Sequence, residues 1–401
     1  MEKENIRGIL GLSTAHFVTD IYSPVLPAIL PLLILENGYP FFLAGLIYTV
    51  FNLTSSVTQP VIGWFYDKYG MAVPIYFTVL ISAFFISFIG FLNNYYLMLL
   101  FAACAALGPA LFHPVALGIV SRLAAGANRG RLTSYFVVGG SLGFAVGPIV
   151  AGAVVENAGL HGLCLMVIPA VLVSLFLYRI VSGNSIYNGN SIYNGNRDSS
   201  KDIREERSFL PTFEVSVIVT ASAFRAWAVF GSMTFIPTYL VIKGFDLITA
   251  NLILSGMLFA GVIGQVIGGS LSDMYGRKEY TLAGCIISLP FFYLFFTTTG
   301  IVSVIALILF GFALWSTFTV TLAMAHEMMP KNVGMVSGLM LGLAVGAGGL
   351  GIALTGYLAD MIGLEPALEL LFVPVSLATL LFFILPYPWK ILSGRSLRRG
   401  N

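Results

Sequence analysis

Apolar residues run along this chain in twelve blocks, each about twenty residues or longer, and polar residues gather in the short gaps between them. Those gaps place helices at 6–35, 40–66, 72–92, 95–123, 130–155, 160–181, 212–242, 247–272, 279–298, 301–327, 332–360 and 366–387. A helix needs about 20 apolar residues to cross the hydrocarbon of a bilayer, and each block meets that length. Pro24, Pro27, Pro31, Pro114, Pro148 and Pro237 fall inside the blocks. Membrane helices tolerate such interruptions where neighbouring helices or a cavity satisfy the freed carbonyls. The pattern therefore predicts an all-α integral membrane protein with twelve transmembrane helices.

Composition agrees with that reading. Of 401 residues, 58% are hydrophobic and 9% charged, whereas a water-soluble domain carries about 25% charged residues. The lipid bilayer is thus the expected solvent. A net charge of +2 gives no basic field for nucleic acid. Cys104, Cys164 and Cys285 stand singly in apolar runs, with no spacing for a disulfide framework or a zinc site. The first block follows Lys3 and Arg7 but is too long for a signal peptide and contains Asp20. No nucleophile with a base, paired carboxylates or metal cluster marks an enzyme, and no cofactor is expected. Without a G-x-x-x-x-G-K-[ST] segment, work has to draw on an ion gradient.

Lys and Arg set the orientation. With the N-terminus cytoplasmic, the inner segments collect Lys3, Arg7, Lys68, Arg122, Arg129, Arg131, Arg277, Lys278 and Lys331, together with the basic residues of the linker and tail, while the outer loops hold only Lys243. Both termini are then cytoplasmic, in a multi-pass protein of the plasma membrane, expected as a monomer. The polar stretch beginning at Ser182, with SIYNGN in tandem at 185–190 and 191–196, reads as a flexible linker. The expected organisation is a six-helix bundle over 1–181, a cytoplasmic linker over 182–211, a second six-helix bundle over 212–388 and a cytoplasmic tail over 389–401.

The halves repeat. At a shift of 206 residues, Gln59, Gly63, Asp67, Tyr69 and Gly70 fall on Gln265, Gly269, Asp273, Tyr275 and Gly276, and Pro31 falls on Pro237. A shift of 204 lays Gly147 and Gly152 over Gly351 and Gly356. Parallel repeats of six helices with a substrate site near the midplane form one large transporter class. The segments GWFYDKYG (63–70) and GSLSDMYGRK (269–278) resemble the signature loop of the major facilitator superfamily. That resemblance implies the major facilitator fold, two pseudo-symmetric six-helix bundles, and a gating role for Gly63, Asp67, Gly70, Gly269, Asp273, Gly276, Arg277 and Lys278. The first copy has Met71 where a basic residue is common. A plain tight turn around Gly70 and Gly276 is the competing account. In the fifth block, Gly143, Gly147, Pro148 and Gly152 resemble the glycine-proline motif of the superfamily's proton-exchanging exporters; small residues every four positions also serve simple helix packing. Gly346-Ala-Gly348-Gly-Leu-Gly351 matches a dinucleotide fingerprint but lacks the preceding strand, so it reads as helix packing.

Ionisable groups at membrane depth are few, and each costs about 2.5–3.5 kcal/mol on insertion scales. His16 and Asp20 stand one helical turn apart on one face. His113 precedes Pro114 in the fourth block, and Arg225 lies near the repeat mate of Asp20. These four are the candidate proton- and substrate-binding residues: Asp20 as proton site, tuned by His16 and Arg225, with Arg225 also attracting an anionic or polar substrate. A structural buried pair that only orders the helices is the alternative. His326 and Glu327, near Pro330, read as a solvated helix end.

His16-Phe17-Val-Thr-Asp20, Gln59-Pro60, Phe112-His113-Pro114, Val138-Gly139-Gly140 and Arg225-Ala-Trp227 are similar to the fosmidomycin-resistance group of drug exporters, apart from Val115, where that group commonly has an acidic residue. The resemblance implies a drug/proton antiporter exporting a small compound, anionic or drug-like, by alternating access. The alternatives are a proton-coupled importer of organic anions or sugars, and a non-transporting membrane sensor.

Overall fold

The computed structural model describes residues 2–69, 73–123, 129–181 and 212–390, and among these the chain is helical from end to end. The first span is two helices, α1 (Glu2–Ile21) and α2 (Val25–Leu35), where the pattern predicts one. Pro24 supplies the reason: it has no N–H to donate and disfavours helical backbone at the residue before it. The chain turns there through a Val25 N–H to Tyr22 carbonyl bond of 3.3 Å. Next come α3 (Phe41–Tyr69), α4 (Ile75–Phe88), α5 (Tyr95–Leu123), α6 (Arg129–Ala158) and α7 (Val167–Val181). A 3-10 turn over Ile89–Phe91 extends α4, and another over Leu160–Met166 leads into α7. The third span, Ile75–Phe91, is the shortest apolar helix.

After the linker, whose residues 182–211, SIYNGN repeat included, lie outside the described residues, the helices are α8 (Phe213–Ile242), α9 (Leu247–Tyr275), α10 (Arg277–Thr297) and α11 (Gly300–Met328). The eleventh span is composite: a short α12 (Val333–Ser337), a wide π-helical stretch over Gly338–Ala344, and α13 (Val345–Ile362). The last span divides into α14 (Leu364–Glu369) and α15 (Phe372–Ile384). Pro374 stands in the first turn of α15, where a missing N–H breaks no helical bond, and the chain turns just before it. Tail residues beyond 390 lie outside the described part. Eleven of the described helices are long and apolar enough to span a bilayer, and Ile75–Phe91 is the twelfth apolar helix.

Two compact units result. One takes in the described residues of Met1–Leu33 and Val50–Arg207, the other those of Ile34–Thr49 and Ser208–Asn401. Residues 34–49 thus group with the second unit. Within the first unit α1 lies along α6, and within the second α8 lies along α13, the same pairing in each half of the repeat. Each unit has a core of Leu, Ile, Val, Phe and Ala, and turns large apolar side chains such as Phe84, Leu172, Ile286 and Leu380 to its surface. Water would penalise that surface, whereas a bilayer solvates it.

Candidate functional site

In the first unit three ionisable side chains meet at membrane depth. His16 and Asp20 come from α1, and their Nε2 and Oδ2 lie 3.2 Å apart. His113, from α5, places its Nε2 3.0 Å from the other carboxylate oxygen, Oδ1. The Asp20 side chain keeps 14% of its surface and that of His16 12%. His16 is held from both sides, stacking on Phe136 of α6 with ring centroids 4.2 Å apart and meeting the His113 ring edge-on at 5.1 Å. Pro114 follows His113 inside α5.

The protons in this cluster follow from its partners. The Phe136 carbonyl oxygen lies 2.8 Å from His16 Nδ1 and can only accept, so Nδ1 carries a proton. His113 Nε2 lies 3.0 Å from Asp20 Oδ1, and a carboxylate there accepts its proton's hydrogen bond. If His16 were the neutral ring with its proton on Nδ1, and Asp20 a carboxylate, lone pairs would face each other across the 3.2 Å gap. One further proton, on His16 Nε2 or on Asp20, turns that repulsion into a hydrogen bond. Gain or loss of one proton in this cluster therefore makes or breaks the His16–Asp20 hydrogen bond. The three donor atoms also lie within 4.8 Å of one another, close enough to converge on a cation; as placed, each carboxylate oxygen already faces an imidazole.

The glycines of α6 allow α1 to come this close. A Cβ on Gly139 would meet the Ser13 carbonyl oxygen, one on Gly143 the Phe17 carbonyl oxygen, and one on Gly147 the Ile21 carbonyl oxygen. At Gly140 a Cβ would strike His16 Nε2 itself. Pro148 and Gly152 continue α6 beyond this seam as buried residues. The motif residues Gly143 and Gly147 thus set the approach of α1 to α6, and Gly140 clears the space for the His16 ring. Gly140→Ala is expected to cost about 1–3 kcal/mol of stability through overpacking. Unfolding of the purified protein in detergent measures it.

The second unit holds the other charge. Arg225 of α8 is 3% exposed, and its guanidinium carbon lies 5.3 Å from the centroid of the Phe318 ring of α11. Its Nε has no hydrogen-bond partner, and neither does the Ser222 hydroxyl one turn earlier on the same helix. Within its own unit no described acidic side chain pairs with it. Within its own unit Asp20 has both carboxylate oxygens engaged by histidines, His16 and His113. Beside Arg225, α13 lies close against α8. A Cβ on Gly348 would strike Ala226 and one on Gly351 the Trp227 ring, and Trp227 donates to Thr355 at 2.9 Å. That is the packing task of the fingerprint-like glycines.

The signature loop of the second unit is a charge network. Arg277 bonds Asp273 at 3.0 Å and Glu327 of α11 at 2.7 Å. Tyr387 donates to Glu327 and Lys390 to the Asp273 carbonyl. Lys278 donates to the Leu385 carbonyl at 2.7 Å and sits over the Trp389 ring. Burial, and then the bond to Glu327, push the Tyr387 phenol above its ordinary range, so it remains a donor. Gly276, at φ +104°, occupies backbone space that favours glycine, and Gly269 has open space around it. Glu327, expected as a solvated helix end, is a hub of this network; its separation from Arg277 along the sequence hid the contact. In the first copy, Gly63 faces Pro114 of α5. Asp67 lies in α3, while its side chain and Gly70 lie outside the described residues.

Comparison with known proteins gives the chain a family. The chain matches the Major Facilitator Superfamily profile over residues 9–341 and 218–395. It is 32% identical over 367 residues to the fosmidomycin resistance protein of Escherichia coli (strain K12), covering 89% of this chain and 88% of that one. It is 29% identical over 394 residues to an uncharacterized MFS-type transporter, YfnC, of Bacillus subtilis (strain 168), covering 96% and 93%. Among solved structures, a bacterial homolog of the human lysosomal transporter Spinster, in an inward-facing and occupied conformation, superposes with a TM-score of 0.79 at 17% identity, over 97% of this chain and 96% of that chain.

Proposed function

The chain belongs to the Major Facilitator Superfamily of membrane transporters, and we propose that it exports a small compound, anionic or drug-like, in exchange for protons by alternating access. The observation that carries this reading is the His16–Asp20–His113 cluster, where one further proton makes the His16–Asp20 contact a hydrogen bond. Loss of that proton replaces a hydrogen bond with facing lone pairs 3.2 Å apart. The strain falls where α1 meets the α6 glycines, so proton release acts on a helix–helix seam rather than on one side chain. Arg225 supplies the complementary chemistry, since a guanidinium without a carboxylate partner offers its donors to an acidic group. The Arg277 network serves as the gate at the signature-loop end.

In this reading the protein lies in the plasma membrane as a monomer with both termini cytoplasmic. The expected result is directional. In proteoliposomes an acid interior drives accumulation of a transported compound through an exchanger, whereas an acid exterior drives it through a symporter. A flux screen of fosmidomycin, other phosphonates and organic anions under both gradients decides between them, and accumulation only with the acid exterior overturns export.

A further inference from the structure

At its end far from the signature loop, α3 is not closed by its own sequence. It starts after Gly38-Tyr39-Pro40, none of which offers a capping side-chain oxygen, and the Pro40 carbonyl already accepts the first helical bond from Ala44 at 3.0 Å. The first N–H groups of such a helix need outside partners. Asp360, near the end of α13, supplies them: the Phe41 N–H donates to Oδ1 at 2.8 Å and the Phe42 N–H to Oδ2 at 2.9 Å. A carboxylate at a helix N-terminus also meets the positive end of the helix dipole.

Close contacts continue inward from this cap. A Cβ on Gly356 would come within 2.6 Å of the Phe41 carbonyl oxygen, and one on Gly45 within 2.8 Å of the Phe235 ring. Thr49, 1% exposed, donates to the Gly349 carbonyl at 3.1 Å. At Val50 the helix passes to the other compact unit, so one continuous helix belongs to both. The contact at its tip uses only backbone donors and an exposed carboxylate. It is therefore remade without any side-chain repacking on α3.

We propose that Asp360 is a gating residue: it caps α3 reversibly and sets the fraction of molecules in which that end of α3 is detached from α13. The inference rests on the transport reading, but its test needs neither substrate nor proton gradient and so stands or falls separately from proton coupling. In a background freed of Cys104, Cys164 and Cys285, the full-length protein carrying Thr49→Cys is reacted with a maleimide. Asp360→Ala is expected to raise the labelling rate about 5-fold, the scale of a lost cap. Asp360→Asn, which keeps one acceptor, is expected to fall between. Spin labels at Glu36→Cys and Met361→Cys are expected to gain a longer-distance population in the same order. Should Asp360→Ala fail to fold, Asp360→Asn alone serves in both measurements. An unchanged labelling rate, or an unchanged distance distribution, overturns the proposal.

Discussion

Asp20→Asn is expected to reduce proton-driven flux to that of protein-free liposomes while leaving substrate-for-substrate exchange close to the parent rate. The asparagine amide is nearly isosteric with the carboxyl but neither takes up nor releases a proton. It still accepts from His113 through its oxygen, and its amide nitrogen donates to His16 Nε2, the nitrogen that faces Oδ2 at 3.2 Å in the parent. The variant is thus locked in a form with every hydrogen bond made, as in the protonated parent. Exchange needs only the passage of loaded carrier between its two faces, whereas net flux needs the proton to leave. Counterflow and gradient-driven uptake, measured in the same proteoliposomes, separate the two. Intact coupling in Asp20→Asn sinks the assignment of this residue.

Replacing Arg225 by methionine should have the opposite profile for stability. A buried charge without a partner is costly, and apolar replacement of buried ionic groups is often neutral or stabilising by about 1–4 kcal/mol. Arg225 is 3% exposed, its Nε is unpartnered, and its guanidinium carbon lies 5.3 Å from the Phe318 ring centroid. The ring contributes only about 2 kcal/mol of cation–π attraction to a desolvated group. Arg225→Met is therefore expected to unfold at the parent temperature or above it, yet to lose transport. That combination marks a group kept for what it binds rather than for what it holds together. A destabilised Arg225→Met that still transports would make the guanidinium a structural element.

How much of this was legible beforehand differs from residue to residue. The apolar blocks gave the spans because lipid imposes a length, and length survives in the sequence. The exceptions come from backbone chemistry: Pro24 ends α1 early, and a π-helical stretch around Gly338 and Gly342 replaces a regular turn. His16 and Asp20 were readable as a pair because helical periodicity alone brings them together. His113 was a candidate without a partner until α5 was placed beside α1, since no local pattern specifies a contact 93 positions apart. The Arg277–Glu327 contact is non-local for the same reason, and so is the cap that Asp360 provides. A carboxylate that caps a distant helix leaves no motif, because its partners are backbone N–H groups carried by every residue but proline.

The membrane environment, the repeat and the small set of charges at depth are written in the residue order, because all of them depend on composition and on spacing within single helices. Which of those charges meet depends on how the helices pack. Helix approach is set by where glycines remove side chains, at 139, 140, 143 and 147 along α1 and at 348 and 351 along α8. That approach put a second histidine on Asp20 and left Arg225 unpaired within its own bundle. Hydrogen bonds act over about 3 Å, so which residues share a proton is fixed by the packing of helices remote in sequence and not by the order of residues along any one of them.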